Sequence, residues 1–535
     1  MSVSRGEIAM TAQNAPSRPR VSAALVVLSD RPEDLDLLAL TIHSVRPVAE
    51  EIVVVDTGLS PEARERAAQL GARVSSGAWH DDFSAARNQT LNQLAGPWVL
   101  WLEAGEQLDE ETGADLRAFL DQEASPEKVY ALLVEAPPAE QAASGEQAAQ
   151  VRLMPNRADL WFEGRVRETL EPAMTASGVE LDLAPGRIVR HPRQHDPESR
   201  IRHARRVLDL VALERAQKPK PDVRLLLAAA EAASELGDGD AARRAFAQAV
   251  QAATRGSTEM LDAYYGWLSS WEGQPGAAQG QIAVCLEALE VFPLDAQLLS
   301  AMGTYLQAQR RWELASRAFE AAVKYGQVNL QTWHLADVAE LSAACLALTL
   351  QLLGRDEEAR GVLEQSLGRR PDSLRLRRQL VDLHVKHARL EEAVRAAGPL
   401  ASNWELREAL RNAVRGACQA SARNWTAALA YLQSAYLAGC RDPICLRGLA
   451  VVLLSTGQAE AAVPVLYQWR DVEPGNAELR AYLDAVGQAL RTAAGRRTPH
   501  AQPAPNRWLR IDPAASVVDP AAFPMPVISQ VSSAD

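Results

Sequence analysis

Eight residues in the first third of this 535-residue chain are of types that bind anions, hold cations or move protons. Carboxylate oxygens accept hydrogen bonds and are the ligands that hard cations prefer, whereas a guanidinium binds phosphate through parallel N–H groups. Most of the eight stand beside the end of an apolar run or the start of a helical one. They are Asp30, Asp56, Asp82, Arg87, Glu103, Glu163, Arg167 and Glu168.

The elements that must position these side chains alternate between apolar runs and helical stretches from Val21 to about Arg190. Apolar strands separated by helices are typical of a parallel sheet covered on both faces, and such sheets bind ligands at the carboxyl ends of their strands. We therefore expect an α/β fold with a Rossmann-like, mostly parallel sheet. The predicted strands are 23–28, 51–56, 72–75 and 98–102, and the predicted helices are 35–45, 61–70 and 83–94.

After about Pro197 the strand signals give way to Ala-rich helical patterns. A small residue recurs in steps of 44, 34, 35 and 34 residues, at Ala315, Ala359, Ala393, Ala428 and Ala462. This spacing resembles the tetratricopeptide (TPR) repeat, in which small residues let two helices pack closely. The alternative is a generic helical bundle. The extra ten residues near 329–339 predict a longer loop or a helix extension.

The repeats imply an all-α superhelix whose inner helices bind a protein partner, as an extended peptide or a helix. Trp333, Trp404 and Trp425 lie near the repeat boundaries, either as partner anchors or as core residues. The predicted organisation is a disordered tail at 1–20, an α/β domain at 21–195, a linker helix at 196–221, repeats at 222–490 and a Pro-rich, disordered tail at 491–535. In that tail a segment near Trp508 is an alternative docking element.

Composition narrows the class of protein. The net charge of −12 argues against a general nucleic-acid binder, whose footprint is usually basic. Five Cys, all beyond residue 280, make no secreted-type disulfide framework, and Cys440 and Cys445 are expected to be small buried side chains. Neither a signal peptide nor a transmembrane run is evident, so we expect a cytoplasmic protein. Residues 187–206 are locally basic, either as a solvated linker or as a face for an anionic acceptor or a membrane surface.

Several motifs in the first part resemble one branch of the bacterial family 2 glycosyltransferases. They are Glu51-Ile-Val-Val-Val-Asp-Thr-Gly58, Trp79-His-Asp-Asp-Phe-Ser-Ala-Ala-Arg-Asn88, the segment 96–106, and the pair 152–157 and 162–168. The resemblance covers about Val21 to His191, and domains of this kind followed by TPR repeats are familiar in that branch. It implies a GT-A fold that binds a nucleotide-sugar, with a UDP-sugar as the expected donor.

The resemblance also implies roles for the polar residues. Asp56 would accept the imide N–H of uracil, or act only as a turn or cap residue. Asp30 would make another nucleotide contact, or cap the next helix. Of Asp81 and Asp82, one is expected to be the N-cap and the other a nucleotide contact. Arg87 would meet the diphosphate, or simply pair with Asp82.

A base is needed to deprotonate the acceptor hydroxyl, and Glu163 and Glu168 are the candidates. Either glutamate has the alternative of a salt bridge with Arg165 or Arg157 alone.

The metal motif departs from the family pattern. GT-A enzymes usually hold Mn²⁺ or Mg²⁺ through Asp-x-Asp, but this chain has Glu103-Ala104-Gly105, so Glu103 is a weak metal ligand and a metal cofactor is doubtful. Arg167 stands where the family has His, and its permanent charge would stabilise a departing diphosphate. Two functions follow. The first is a glycosyltransferase, possible without metal, and the second is a catalytically silent GT-A domain on a TPR interaction scaffold.

Overall fold

The computed structural model describes residues 20–27, 32–56, 59–77, 79–138, 144–191, 197–217, 222–272, 274, 276–401, 404–474 and 476–496. Asp30, Trp508 and nearly all of both predicted tails lie outside the described residues, as do the side chains of Asp56 and Trp404. By its contacts the chain divides into two compact units. The first unit runs to Met302 and includes Tyr325–Val338, and the second comprises Gly303–Lys324 and the chain from Ala339 onward.

The first unit contains a sheet that has nine strands within the described residues. Eight follow one another across the sheet in the order β3-β2-β1-β4-β7-β6-β8-β5, and the ninth pairs with β7. The strands are β1 (Val21–Val27), β2 (Glu51–Asp56), β3 (Arg73–Ser76), β4 (Trp98–Trp101), β5 (Glu106–Leu108), β6 (Lys128–Ala136), β7 (Glu146–Pro155), β8 (Glu180–Arg190) and β9 (His334–Leu335).

The four predicted strands are confirmed as β1 to β4, and they pair in parallel. Beyond β4 the prediction of a mostly parallel sheet is only partly met, because β6 and β8 pair in parallel but β7 runs antiparallel to β4 and to β6, and β5 runs antiparallel to β8. The cause lies in the connection between β6 and β7. Residues 137–145 are fewer than the dozen or so that a parallel crossover needs, so the two strands pair as antiparallel neighbours.

Helices cover the sheet, and two apolar clusters make its core. One cluster includes Leu25, Val54 and Leu100, and the other includes Ala24, Val55 and Trp101, so successive strand residues face opposite sides. This burial on both faces explains the continuous apolar runs of the sequence. The helices are α1 (Pro32–Val45), α2 (Pro61–Gln69), α3 (Phe83–Leu91), α4 (Glu110–Gln122) and α5 (Glu171–Ser177).

A long helix follows the sheet, and antiparallel helix pairs follow it. They are α6 (Pro197–Gln217), α7 (Val223–Glu235), α8 (Gly239–Ala252), α9 (Thr258–Ser269), α10 (Ala278–Val291), α11 (Ala296–Ala308), α12 (Trp312–Tyr325), α13 (Val338–Leu352), α14 (Asp356–Arg369), α15 (Leu374–Lys386), α16 (Leu390–Ala397), α17 (Trp404–Ser421), α18 (Trp425–Leu437), α19 (Pro443–Ser455), α20 (Ala459–Val472) and α21 (Ala477–Arg496), with a 3-10 turn at Gly398–Leu400.

The turn inside each helix pair explains the spacing found in the sequence. A residue with positive φ stands five positions before each predicted small residue, at Arg310, Gly354, Ala388, Arg423 and Gly457. The small residues themselves, from Ala315 to Ala462, are 0% exposed. The regular repeat of helix, left-handed turn and helix confirms the TPR-like part of the prediction.

The extra ten residues between α12 and α13 form a loop that contains β9. This short strand pairs with β7, and the Leu330 carbonyl accepts a hydrogen bond from the Ala149 N–H. The same loop carries Trp333, which packs against the sheet core. Trp425 likewise packs, partly buried, against an apolar cluster of the second unit. These two tryptophans are therefore core residues, which was the alternative to their being partner anchors.

Two further expectations concern single features. Cys440 and Cys445 are buried, as predicted, at 4% and 0% exposure. Within the described residues, no helix is both long and apolar enough to span a bilayer.

Candidate functional site

A buried ion pair lies beside the carboxyl end of β4. Arg152 on β7 and Glu106 on β5 are 2% and 0% exposed, and the Arg152 Nη2 donates to Glu106 Oε1 at 2.6 Å. Arg190, the last residue of β8, also donates to Glu106 through Nε at 3.2 Å. We call Arg87, Glu103, Glu106, Arg152 and Arg190 the arginine centre.

Glu103 lies in the middle of this group but is half exposed. Its carboxylate lies 3.8 Å from Arg152 Nη2, 3.8 Å from Arg190 Nη2 and 4.0 Å from Arg87 Nη2. These are ion-pair distances and exceed hydrogen-bond length. Burial alone would raise the pKa of Glu103, but the three guanidinium groups outweigh it and lower that pKa to about 2. Glu103 is therefore ionised at neutral pH.

The buried Glu106 behaves differently. Burial raises the pKa of Glu106, and the Glu103 carboxylate adds to the rise, against the attraction of Arg152. The Arg152 Nε is buried and has no hydrogen-bond partner within the described part of the chain. A buried guanidinium with an unsatisfied N–H is a costly arrangement, and an acceptor that reached it would be stabilised.

Arg87 on α3 joins the centre to Glu168. Its Nε donates to Glu168 Oε1 at 2.6 Å, and its guanidinium lies 5.1 Å from the ring centre of Trp101 and 5.2 Å from that of Phe162. The structure thus brings together three predicted site residues, Arg87, Glu103 and Glu168. Arg87 pairs with Glu168 rather than with Asp82, the alternative from sequence.

The residues of the arginine centre do not fit a divalent cation. Three guanidinium groups surround Glu103 and would repel a metal placed there. Elsewhere in the described residues, no group of three His, Cys, Asp or Glu side chains is arranged to hold a metal ion. We therefore derive no chemistry through Mn²⁺ or Mg²⁺.

Asp82 is the N-cap of α3. Its Oδ1 accepts from the Ala85 N–H at 3.0 Å and from the Ser84 hydroxyl at 2.7 Å. Asp81 has φ +53°, and its Oδ1 accepts from the Trp79 indole at 2.8 Å. The structural alternative thus accounts for Asp82, whose contact with a nucleotide stays a prediction.

Two predicted catalytic residues lie apart from this group. Glu163 accepts from the Trp161 indole at 3.0 Å and is bridged to Thr169 in a short turn. Arg167, although next to Glu168 in sequence, pairs with Glu231 on α7 and, at 2.7 Å, with Asp262 on α9. The structure does not bring Arg167 into the arginine centre, because these two carboxylates hold its guanidinium.

Sequence reasoning missed Arg152 and Arg190 as site residues. Arg152 stands inside a segment quoted for the resemblance, and Arg190 directly precedes His191. Neither position carries a charge pattern that marks it, because β7 and β8 meet β4 and β5 only through long-range pairing. The signal that was available was Arg152 between apolar neighbours, Val151 and Leu153, because a charge in an apolar run needs a partner.

Comparison with known proteins gives limited matches. No protein-family model matches the chain. A TPR repeat-containing protein of Synechococcus elongatus is 34% identical over 145 residues, which is 27% of this chain and 34% of that protein. The chain thus spans about a third of the length of the relative that it matches.

Solved structures of repeat proteins give weak likenesses. A tetratricopeptide repeat protein from Parabacteroides merdae has a TM-score of 0.37 at 13% identity, over 50% of this chain and 98% of that one. Yeast Tom70 has a TM-score of 0.34 at 12% identity, over 57% and 61%. Together, the helix pairs described above and the cyanobacterial relative indicate that the helical part of this chain is TPR-like.

Proposed function

We propose that this protein is an interaction scaffold whose TPR-like repeats bind a segment of a protein partner. The observation that carries the proposal is the regular series of helix pairs, each closed by a left-handed turn residue from Arg310 to Gly457. Repeats of this kind stack to form an extended surface from equivalent helices, and such surfaces bind peptides or helices. The sheet domain is then a GT-A-like domain without transfer activity.

In the second unit, the first helices of the pairs carry charged side chains that suit such a surface. Arg378 on α15 pairs with Asp442 at 3.1 Å, and Arg447 on α19 pairs with Asp382 on α15. All but Asp442 are about a third or more exposed. The Arg447–Asp382 pair is about a third or more exposed at both ends and contributes little to stability, so it can exchange for charges on a partner at small cost.

Site-specific photo-crosslinking of the full chain in its native host tests this proposal. A photoreactive residue replaces Arg378 or Arg447 on first helices and, as matched controls, Arg360 on α14 or Arg470 on α20. We expect both first-helix probes to capture the same partner and the second-helix probes to capture little of it. If a partner were captured only through probes placed in the sheet domain, the partner would bind that domain and the repeats would not be the binding surface.

A second candidate function has one observation in its favour. We propose that the arginine centre accepts the diphosphate of a nucleotide, with a UDP-sugar as the donor class, as in family 2 glycosyltransferases. Arg152 and Arg190 would then supply the positive charge that sequence reasoning assigned to Arg167, and Glu168 or Glu163 would be the base. The supporting observation is that three guanidinium groups converge on a half-exposed carboxylate.

Calorimetric titration of UDP distinguishes the two candidates. We expect UDP to bind equally in EDTA and in Mn²⁺, and Arg190→Met to weaken it at least tenfold, since a hydrogen bond to a charged group is worth about 1.5–3 kcal/mol. Arg187→Met on the same strand is the control, because Arg187 is half exposed and pairs with Asp109. If no nucleotide binds with or without metal, the silent-domain proposal stands alone.

A further inference from the structure

Helix α6 and the segment before α3 line an open cleft in the first unit. Its volume is about 550 Å³. Trp79 and Asp81 line one wall, and side chains of α6 line the other: Arg202, Arg205, Arg206, Asp209, Leu210 and Leu213. The cleft shares no residue with the arginine centre or with the repeat surface.

The α6 wall is one face of the helix. The spacing from Arg202 through Arg206 and Asp209 to Leu213 follows steps of three and four residues, which places these side chains in a row. Leu210 is buried, but Leu213 is 44% exposed and offers an apolar side chain at the end of a charged row. A ligand along this row would meet guanidinium groups first and an apolar end next.

The opposite wall is held in place by its own contacts. The Trp79 ring packs edge-on against Phe83 with 5.1 Å between ring centres, and its indole N–H is fixed by Asp81. Arg165 donates to the Asp81 carbonyl oxygen, which anchors the left-handed backbone at that residue. The aromatic wall is therefore preorganised, and a ligand would not have to order it.

The charge of the cleft is opposite to that of the chain. Three guanidinium groups face two carboxylates here, whereas the whole chain carries −12. Arg202 pairs with Glu198 one turn away, and Arg206 lies 6.0 Å from the centre of the Trp79 ring. Among the described residues, no carboxylate lies within ion-pair distance of Arg205 or Arg206.

One basic stretch of the chain itself, residues 497–510, is a poor occupant of this cleft. Residues 497–510 contain Arg497, Arg507 and Arg510 and no acidic residue, so they would be repelled by the row of arginines. The charge instead complements an acidic ligand. A flat aromatic wall and an exposed leucine favour one that also carries an apolar side chain.

We propose that this cleft binds an acidic segment of a partner protein, with its carboxylates on Arg205 and Arg206 and one apolar side chain between Trp79 and Leu213. The site is a second interaction surface, outside the repeats, and it does not depend on the proposed role of the repeats. Because guanidinium groups at an open cleft are screened by ions, binding is strongest at low salt.

The test uses the full chain and synthetic peptides at low ionic strength. The probe is a ten-residue peptide of glutamate with one central leucine, and the comparison peptides are all-glutamate and lysine–leucine peptides of equal length. The variant is Arg205→Glu/Arg206→Glu, both exposed. The matched control is Arg244→Glu/Arg255→Glu, which makes the same charge change at exposed positions on α8 and after it.

We expect the Arg205→Glu/Arg206→Glu variant to weaken binding of the glutamate–leucine peptide by about tenfold or more, since reversing two charges turns attraction into repulsion. The control variant should change it by less than about twofold, because exposed charges outside the cleft act only through a screened field. Leu213→Ser should weaken the leucine-containing peptide by about threefold and leave the all-glutamate peptide unchanged.

Three results would overturn the proposal. The first is that wild-type protein does not bind the acidic peptide at millimolar concentration. The second is an equal loss in the two charge-reversed variants, which would show a general field effect. The third is binding to phosphatidylserine vesicles, lost in Arg205→Glu/Arg206→Glu, without peptide binding, which would assign the cleft to a membrane surface instead.

Discussion

Arg152 and Glu106 come from strands 46 positions apart in sequence, yet their side chains meet at 2.6 Å with both residues almost wholly buried. Removing one partner of a buried ion pair leaves a charge without solvation, which typically costs about 3–5 kcal/mol. The pair therefore joins β5 to β7, two strands that are not neighbours in the sheet order.

We expect Arg152→Met to lower the free energy of unfolding by about 3–5 kcal/mol, because Glu106 would then have only Arg190. The double variant Arg152→Met/Glu106→Leu should be less destabilised than Arg152→Met, since neither buried charge remains. Urea unfolding of the full chain, followed by circular dichroism, measures both. Additive losses in the double variant would contradict the pairing.

Helix α11 has no room for a side chain at Gly303. A Cβ there would lie 2.6 Å from a ring carbon of Phe319, which is 0% exposed. We expect Gly303→Ala to lower the free energy of unfolding by about 1–3 kcal/mol through overpacking. Gly361→Ala on α14, where a Cβ would meet open space, is the control and should raise it by up to about 1 kcal/mol.

The repeat turns should gain stability from glycine. Ala388 has φ +51° and Arg423 has φ +59°, a backbone region that disfavours residues with a Cβ. We expect Ala388→Gly to raise the free energy of unfolding by up to about 1 kcal/mol, and with it the thermal midpoint. The reverse change, Gly354→Ala, meets no atom within 4 Å, so any loss reports backbone strain alone. A lower midpoint for Ala388→Gly would contradict this explanation.

Asp262 should make stability depend on pH. Burial raises the pKa of Asp262 from 3.8 to about 6, against the attraction of Arg167. The folded protein thus holds this proton more tightly than the unfolded chain, so stability falls as pH rises from about 3.8 to above 6, by up to about 3 kcal/mol.

Asp262→Asn has no such proton, and the difference in thermal midpoint between it and wild type measures the effect across pH 3.5–7.5. Wild type should lose stability relative to Asp262→Asn as pH rises. A difference that is constant with pH, or of opposite sign, would contradict the raised pKa.

The sequence by itself determined the local elements. Apolar runs predicted β1, β2 and β4 because each is buried on both faces. The Ala spacing predicted the helix pairs because a small residue must lie where two helices touch. Asp82 was recognisable as a cap candidate because capping depends on residues only three positions apart.

Only the tertiary structure decided which charges meet. The partners of Arg167, Arg87 and Arg152 lie 64, 81 and 46 positions away in sequence, on elements whose pairing no local pattern specifies. An arginine attracts any carboxylate within reach, so its partner depends on strand order and helix packing rather than on spacing. For this reason the sequence indicated a degenerate metal motif at Glu103, and only the fold surrounded that carboxylate with three arginines.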